Sequence, residues 1–300
     1  MLKSSSELNA LGGVYSALFT PYDRDGRVNV AMIERLVEFH LDAGLAGFYL
    51  TGSTGECFLL SEDERKLVVE SVIRFNRGRG KVIVHVGHIS TDVAVELATH
   101  AEKHGADATS ALGPIYFGTT FEGAYRHFSH IAGATGLPFF IYSIHRELDP
   151  ESDRRFFDIP NVVGMKYTGS DYFLMQQLMR LIDKPHIFFN GCDQLFLGAL
   201  HFGVSGAIGT TQNIAPAHFV RIQQLFREGR TDEARRVQEE VNRVIFLMLS
   251  ETDRSYMKAV MRYIGYDCGS CRLPNKQLTG QDYADFAAKL DELGVLQRAG

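Results

Sequence analysis

No apolar stretch of this sequence is long enough to span a lipid bilayer, which argues against a membrane-spanning helix. A long basic run is also missing, and the formal net charge is −5 at pH 7, so the composition does not indicate a nucleic-acid-binding surface. The first residues, MLKSSSELNALGG, lack the apolar core of a secretory signal. We therefore expect a cytoplasmic protein with neither a membrane nor a nucleic acid as its partner.

Cysteine is scarce as well. The chain of 300 residues has four cysteines, Cys57, Cys192, Cys268 and Cys271, which are too few for a disulfide framework and fit a reducing cytoplasm. Cys268 and Cys271 have C-x-x-C spacing, but a structural zinc site would usually need two more ligands at similar spacing, and none is evident. A redox role would need a thioredoxin-like context, which is missing. We interpret the segment CGSC as a surface loop with two thiols.

The composition predicts a folded protein with a sizeable core. Apolar residues make up 45% of the chain and charged residues 22%, which is typical of globular domains and argues against disorder. The length fits two small domains or one large one, since α/β barrels exceed the usual domain size.

Short apolar runs alternate along the chain with longer segments of helical period. Val30, Ile33, Val37 and Leu41 form one such helical stripe. The apolar runs predict eight strands, at 13–19, 47–50, 81–87, 107–112, 138–142, 161–166, 186–190 and 206–209.

Eight strand–helix units predict a (β/α)₈ barrel, an α/β fold of the TIM type, over residues 1–230. Residues 231–300 have no strand and predict a C-terminal helical extension, with helices near 231–251, 255–264 and 281–293. The alternative is a doubly wound sheet, which should have a glycine-rich fingerprint after its first strand. The segment TPYDRDG at that position is not one.

Polar and glycine-rich residues collect at the predicted C-terminal ends of the strands, where barrels carry their catalytic groups. Strand two ends in TGSTGE, strand five in Tyr142 and strand six in Lys166. Strand seven ends in NGCD and strand eight in GTTQN. This convergence predicts one site at that face of the barrel.

The segment TGSTGE is a candidate anion-binding loop. Its glycines let the backbone approach a ligand closely, and its N–H groups could hold a carboxylate, with hydroxyls added by Ser53 and Thr54. The alternative is a polar turn stabilised by its own side chains. We expect Glu56 to brace the loop rather than to do chemistry.

Lys166 is the strongest candidate for a catalytic residue. A lysine desolvated inside a barrel is more often the neutral amine, which can attack a ketone and form a Schiff base. The alternative is a lysine that reaches out of the barrel to a carboxylate. Tyr142 could be a core residue with a satisfied hydroxyl, but beside a catalytic lysine it is a candidate proton donor and acceptor.

These residues together resemble the N-acetylneuraminate lyase and dihydrodipicolinate synthase family, from GVYSALFTPYDRDG through GSTGE to the helical tail. The resemblance implies a Schiff-base aldolase that handles pyruvate on a (β/α)₈ barrel. It also implies a homotetramer that needs no metal or organic cofactor.

The resemblance assigns roles to five residues of this chain. Lys166 matches the Schiff-base lysine, and Tyr142 matches the proton-relay tyrosine. Ser53 and Thr54 match the hydroxyl pair that holds the pyruvyl carboxylate and relays protons. Tyr116, in GPIYF, matches a tyrosine that packs near the site across a subunit contact.

Within the family, KYTGSD and FNGCDQ are more similar to the sialic acid lyase branch. That branch has a threonine two residues after the lysine, here Thr168. It uses a glycine and an aspartate after strand seven on the sugar hydroxyls, here Gly191 and Asp193. Gly209 and Thr210 match its strand-eight contacts.

Two features depart from the lyase pattern: Gln194, and the segment YSIH with a shorter loop RELDP after it, where the family usually has YNIP. Gln194 stands where the lyases usually have a glutamate, and its amide can hydrogen-bond a hydroxyl but carries no charge. Arg146 lies one residue from the position of the carboxylate-binding arginine of the synthases, and it could grip the acid end of a different aldehyde.

The sequence thus predicts a lyase that cleaves a 2-keto-3-deoxy sugar acid, with N-acetylneuraminate as the first substrate to test, into pyruvate and an aldehyde. The alternatives within the enzyme class are a dihydrodipicolinate synthase and a shorter sugar-acid aldolase or dehydratase. A keto-acid-binding barrel without catalysis is the alternative outside that class.

Overall fold

Eight parallel strands form a closed barrel in the computed structural model, which describes residues 5–144, 146–251 and 253–299. The strands pair in chain order, and the last pairs with the first. Each begins within one residue of its predicted start, so the predicted (β/α)₈ barrel is confirmed. The strands are β1 Gly13–Ala17, β2 Gly47–Leu50, β3 Lys81–His85, β4 Ala108–Leu112, β5 Phe139–Ile144, β6 Val162–Thr168, β7 Ile187–Asn190 and β8 Gly206–Gly209.

Helices separate the strands and continue after the last one. Ser61 and Glu64 form a capping box at the start of α3, in which each residue's side chain accepts a hydrogen bond from the other's backbone N–H. The helices of the described residues are α1 Ser5–Asn9, α2 Val30–Asp42, α3 Glu62–Asn76, α4 Thr91–His104, α5 Phe121–Gly133, α6 Pro150–Arg154, α7 Tyr172–Arg180, α8 Phe196–His201, α9 Pro216–Arg227, α10 Thr231–Ser250, α11 Ser255–Tyr263 and α12 Gly280–Leu293.

The barrel interior is packed with side chains below its C-terminal mouth. Tyr15, Phe140 and Phe189 are fully buried there, because alternate residues of every strand point inward. Leu8 and Leu11, from α1 and the turn after it, pack into the same cluster. The Tyr15 hydroxyl donates to the Leu11 carbonyl at 2.6 Å. The N-terminal end of the barrel is therefore closed by the chain's first described helix.

The outer helices bury one apolar stripe each against the barrel. In α2 the predicted stripe is observed at Ile33 and Val37, which are fully buried. Such stripes form one large apolar cluster with the outward-facing residues of the strands.

The helical extension packs against the loops at the C-terminal ends of the strands. Gln238 of α10 donates to the Asp193 carbonyl at 3.1 Å, and Arg254 donates to the Ser53 carbonyl at 2.8 Å. The predicted helices near 231–251, 255–264 and 281–293 are therefore observed as α10, α11 and α12. The boundary between a barrel domain and the extension at residue 230 stays a prediction.

The prediction that CGSC is a surface loop was wrong. Cys268 is fully buried and Cys271 is nearly so, because the segment folds back onto Tyr22, whose N–H donates to the Cys268 carbonyl at 3.0 Å. Burial raises the pKa of the Cys268 thiol to about 12 and that of Cys271 to about 11, so both are poor nucleophiles. Both thiols are free.

Among the described residues, none of the helices combines the length and the apolar character that crossing a membrane requires.

Candidate active site

Lys166 lies inside the mouth of the barrel, near the end of β6. Lys166 is only 4% exposed. Its Nζ lies 4.4 Å from the ring centre of Tyr49 and 4.1 Å from that of Tyr142. No carboxylate of the described chain lies within ion-pair distance of it. The alternative of a lysine that reaches outward to a carboxylate therefore does not hold, and aromatic faces surround the amine instead.

Tyr142 is the direct neighbour of Lys166 across the β5–β6 ladder. Its hydroxyl lies 3.4 Å from the Ser53 hydroxyl, which belongs to the loop after β2. The amine, the phenol and the serine hydroxyl thus follow one another in space, although they come from three different strand ends. This is the order that proton transfer at a lysine-bound substrate needs.

The loop after β2, residues 51–56, turns sharply at both ends. Thr51 and Glu56 have φ of 51° and 59°, in the left-handed region that non-glycine residues rarely adopt. Between them, the N–H groups of Ser53 and Thr54 have no acceptor in the described structure, and both residues are half-buried. Two free N–H groups beside hydroxyls can hold a carboxylate.

Glu56 braces this loop, as the sequence predicts. Its carboxylate lies 2.7 Å from Nζ of Lys258 in α11 and accepts the N–H of Arg272 at 2.8 Å. The side chains of both Glu56 and Lys258 are 2% exposed. Its position is set by the C-terminal helices rather than by the barrel alone.

His85, at the end of β3, was not singled out in the sequence but supports the site. Its Nδ1 donates to the Thr51 carbonyl at 2.8 Å, and its ring meets that of Tyr142 edge-on, with centres 5.8 Å apart. Burial and the nearby charge of Arg65 lower the pKa of His85 to about 3, so the ring is neutral. The signal in the sequence was a histidine near the end of an apolar strand, in KVIVHVG.

Three other residues of the site were also missed. Tyr49 contributes an aromatic wall to Lys166, and its inward position follows from the alternation in GFYL. Lys258 belongs to α11 and Arg254 directly precedes that helix, and the sequence has no local signal for their approach to the loop after β2.

Polar groups without protein partners cluster on the β6–β8 side of the mouth. Asp193 accepts the Thr211 N–H at Oδ2, at 2.7 Å, but its Oδ1 has no hydrogen-bond partner among the described residues. The same is true of Thr168 Oγ1 and of both amide atoms of Gln212, which is fully buried. Burial raises the pKa of Asp193, although the Thr211 N–H partly offsets this effect.

Two glycines allow these groups to meet. A Cβ on Gly191 would lie 2.0 Å from Thr168 Oγ1, and a Cβ on Gly209 would lie 1.6 Å from Asp193 Oδ1. Both distances are far below van der Waals contact. The structure thus brings Thr168, Gly191, Asp193 and Gly209 together.

Thr210 joins the strand-eight end to the loop after β2. Its hydroxyl lies 2.7 Å from that of Thr54.

Gln194 is placed differently: it is exposed, and α10 holds only its backbone, through a hydrogen bond from Asn242 to its carbonyl at 3.2 Å.

Arg146 lines a cavity of about 1040 Å³ that opens beside the mouth and also exposes Ser53 and Tyr142. Its guanidinium lies 3.0 Å from the carboxylate of Asp153, whose side chain is 3% exposed. The charge of Arg146 is therefore already paired. Arg254 lines the same cavity and has no carboxylate partner within the described ranges.

Tyr116 lies outside the site of this single chain. It is 77% exposed in the loop between β4 and α5, next to Ile115 and Phe117, which are 56% and 73% exposed. Its ring contacts only that of Phe117, with centres 4.9 Å apart.

The sequence model of the dihydrodipicolinate synthetase family matches residues 10–293. This chain belongs to that family. The N-acetylneuraminate lyase of Salmonella agona is 36% identical over 278 residues, which cover 91% of this chain and 93% of the relative. The relative from Rhizobium meliloti, also an N-acetylneuraminate lyase, is 33% identical over 277 residues. The resemblance proposed from the motifs is confirmed.

Solved structures agree. The N-acetylneuraminate lyase of Fusobacterium nucleatum superposes with a TM-score of 0.89 at 30% identity, and covers 96% of this chain and 100% of its own. A catalytic lysine mutant of the Ruminococcus gnavus sialic acid aldolase gives 0.89 at 28% identity, over 96% and 98% of the two chains. The chain is an N-acetylneuraminate lyase-like, Schiff-base-forming aldolase, and a keto acid is the substrate class of its family.

Proposed function

We propose that this family member cleaves a 2-keto-3-deoxy sugar acid of the N-acetylneuraminate type into pyruvate and an aldehyde, with Lys166 as the nucleophile. The observation that carries the proposal is the burial of the Lys166 amine between two tyrosine rings, one of which reaches Ser53 through its hydroxyl. The relatives named above are themselves N-acetylneuraminate lyases or a sialic acid aldolase.

The chemistry proceeds through an imine. The Lys166 amine attacks the C2 ketone and water leaves, which gives a protonated imine. The departing water takes the proton of the Tyr142 hydroxyl, which leaves a phenolate. The phenolate then takes the proton of the C4 hydroxyl, the C3–C4 bond breaks, and its electrons move to the imine and form an enamine. Protonation of C3 and addition of water release pyruvate and the free amine.

Ser53 and Thr54 hold the carboxylate of the substrate. Their free N–H groups lie at the turn after β2, and the Ser53 hydroxyl lies 3.4 Å from that of Tyr142. A carboxylate bound there places C2 toward the amine. Ser53 can also pass a proton between the substrate and Tyr142.

The hydroxyl chain of the substrate lies on the opposite side of the mouth. Thr168 and Asp193 each have a polar atom without a protein partner, and Gly191 and Gly209 leave the space beside them. Thr210 completes this side through its contact with Thr54. We assign these groups to the sugar hydroxyls.

Gln194 is the outermost of the proposed substrate contacts, because its side chain is exposed. If it binds the distal end of the chain, Gln194→Ala should raise KM for long polyhydroxylated substrates by about 2- to 12-fold, the equivalent of roughly 0.5–1.5 kcal/mol for one hydrogen bond. Equal changes for long and short substrates would contradict that role.

The second candidate function is that of a dihydrodipicolinate synthase, since Arg146 and Tyr142 line the same cavity. Its pairing with Asp153 favours a structural role over the binding of a carboxylated aldehyde. Arg146→Ala separates the two functions. A loss confined to carboxylated aldehydes would favour the synthase, whereas equal effects on all aldehydes would favour the lyase.

We further propose a homotetramer, with Tyr116 packed near the site of a neighbouring subunit. The support is the exposed apolar group Ile115, Tyr116 and Phe117, which a monomer would leave in water. Light scattering at micromolar concentration should give four times the chain mass, and a monomer would exclude this assembly.

The four free cysteines support a cytoplasmic location.

Borohydride reduction in the presence of pyruvate, followed by intact mass and peptide mapping, tests the central proposal. The adduct should map to Lys166 and disappear with turnover in Lys166→Ala. Lys258 serves as the internal control, because it is also buried but is held by Glu56. An adduct on Lys258, or none at all, would overturn the assignment.

A further inference from the structure

The facing sides of α3 and α4 carry a polar seam, which we define as Lys66 and Glu70 of α3 with Glu96, His100 and His104 of α4. Successive members of the seam on each helix are four residues apart, so they lie on one face of that helix. At one level of the seam, Lys66 and Glu96 form an ordinary ion pair at 2.5 Å. At the next level, Glu70 meets two histidines.

The two imidazoles converge on a single carboxylate oxygen. Oε1 of Glu70 lies 2.9 Å from Nε2 of His100 and 3.8 Å from Nε2 of His104. The two rings lie close together, with centres 4.1 Å apart. All three ligand atoms lie within 4.8 Å of one another.

The hydrogen bond on the far side of His104 fixes which of its nitrogens carries the proton. Nδ1 lies 2.9 Å from the His100 carbonyl, and because a carbonyl only accepts, Nδ1 must donate. In the neutral ring Nε2 is then a bare lone pair. That lone pair lies 3.8 Å from the Glu70 carboxylate, so in the neutral ring two acceptors oppose each other. Either a proton on Nε2 or a metal cation between the two groups makes the contact favourable, and His100 beside them adds a second nitrogen for a metal.

We propose that Glu70, His100 and His104 bind a divalent transition-metal ion, of which Zn²⁺ is the representative. Two imidazoles and one carboxylate are a donor set that zinc accepts, with bonds of about 2.0–2.2 Å. The backbone hydrogen bond of His104 is the usual outer contact of a metal-bound histidine. Only small side-chain shifts are required to bring the three atoms to those distances.

The seam lies on the outer ring of helices and is open to solvent. The side chains of His100, His104 and Glu70 are 14%, 33% and 47% exposed, so an ion can enter from the Glu70 side and keep water in its remaining position. None of the three residues belongs to the site around Lys166. The ion would tie α3 to α4 and would stabilise only the folded chain.

Isothermal titration with Zn²⁺ at pH 7.5, on protein without a histidine tag and treated with a chelator, tests the proposal. The wild type should bind one Zn²⁺ ion per chain. His104→Gln and Glu70→Gln should each lower the affinity for that ion at least about tenfold. Zinc should raise the melting temperature of the wild type more than that of either variant. Binding should weaken at pH 5.5, because protonated imidazoles cannot ligate.

His201→Gln is the matched control, because the Nδ1 of His201 also contacts the carbonyl four residues earlier, that of Leu197, at 2.9 Å. It belongs to no ligand cluster of the described residues. Wild-type zinc binding in His201→Gln would support the proposal. Equal stoichiometry and affinity in the wild type and in both His104→Gln and Glu70→Gln would overturn it.

Discussion

Nζ of Lys258 lies 2.7 Å from a carboxylate oxygen of Glu56, and the two side chains are almost completely buried. The ammonium group also donates to the Thr20 carbonyl at 2.8 Å and lies 4.1 Å above the ring of Tyr22. Since Glu56 ends the loop that carries Ser53, this ion pair connects the last part of the chain to the proposed carboxylate-binding groups.

Removing Lys258 should therefore damage both stability and substrate binding. Lys258→Met leaves the Glu56 carboxylate buried without a counter-charge, which typically destabilises a protein by about 3–5 kcal/mol. Urea unfolding should report this loss, and KM for the keto acid should rise more than kcat falls, because the loop positions the carboxylate. The double variant Lys258→Met/Glu56→Gln should lose less than the two single variants together.

Lys289→Met is the control for that experiment. Lys289 pairs with Glu251 at 2.8 Å, but its side chain is half exposed, so the substitution should leave the unfolding midpoint nearly unchanged. If Lys289→Met loses as much stability as Lys258→Met, burial of the Lys258–Glu56 ion pair is not the cause of the loss.

Tyr142→Phe should separate imine formation from bond cleavage. The Lys166 amine stays in place, so borohydride should still trap some pyruvate, whereas turnover should fall by about 10²–10⁴, the usual contribution of a positioned acid–base group. Single-turnover kinetics would measure the cleavage step directly. If kcat stays near the wild-type value, another group moves the proton, and Ser53, 3.4 Å from the phenol, is the first to test.

Gly209→Ala should disturb Asp193 without changing the charge of the site. The added methyl would lie 1.6 Å from Asp193 Oδ1, so the carboxylate must move away from the mouth. We expect KM for polyhydroxylated substrates to rise at least tenfold while pyruvate trapping on Lys166 persists. Gly198→Ala in α8 is the control, since its Cβ would meet nothing within 4 Å, and kinetics like those of Gly209→Ala would contradict the steric argument.

The pH dependence of stability should depend in part on His40. Burial lowers the pKa of His40 to about 4, whereas in the unfolded chain it is about 6.5. Between these values the unfolded state binds a proton that the folded state excludes. The contribution of His40 is thus complete above about pH 6.5 and is lost as the pH falls toward 4, by up to about 1.4 kcal/mol per pH unit.

Urea unfolding of the wild type and His40→Gln at pH 7.5, 6.5, 5.5 and 4.5 measures this effect. The variant should lose free energy of unfolding less steeply in the acid range, whatever its stability at pH 7.5. Identical slopes for the two proteins would show that His40 is not the proton acceptor.

The barrel could be predicted from the sequence because its strands and helices are each specified by residues close together in the chain. Strand runs and helical stripes repeat with their own periods, and a closed parallel barrel then brings the strand ends together. Tyr142 and Lys166 were predicted to be neighbours for this reason, and they face each other across β5 and β6. The shared mouth of the site follows from the same topology.

The rest of the site depends on contacts between distant parts of the chain, which no local pattern encodes. Lys258 and Arg254 reach the loop after β2 because of how α11 packs, and the burial of Cys268 follows from the return of the tail onto Tyr22. His85 had a local signal, but its neutral state depends on burial and on Arg65, which only the packed structure reveals.

Leu8, Leu11 and Tyr15 close the N-terminal end of the barrel, and this closure determines the order in which the products leave. With one end sealed, ligands enter and leave by a single opening. In the proposed mechanism a keto acid bonded to Lys166 occupies the innermost place, and the aldehyde lies between it and the exit. The aldehyde must depart first and pyruvate last, so added pyruvate should compete with the substrate while added aldehyde should not.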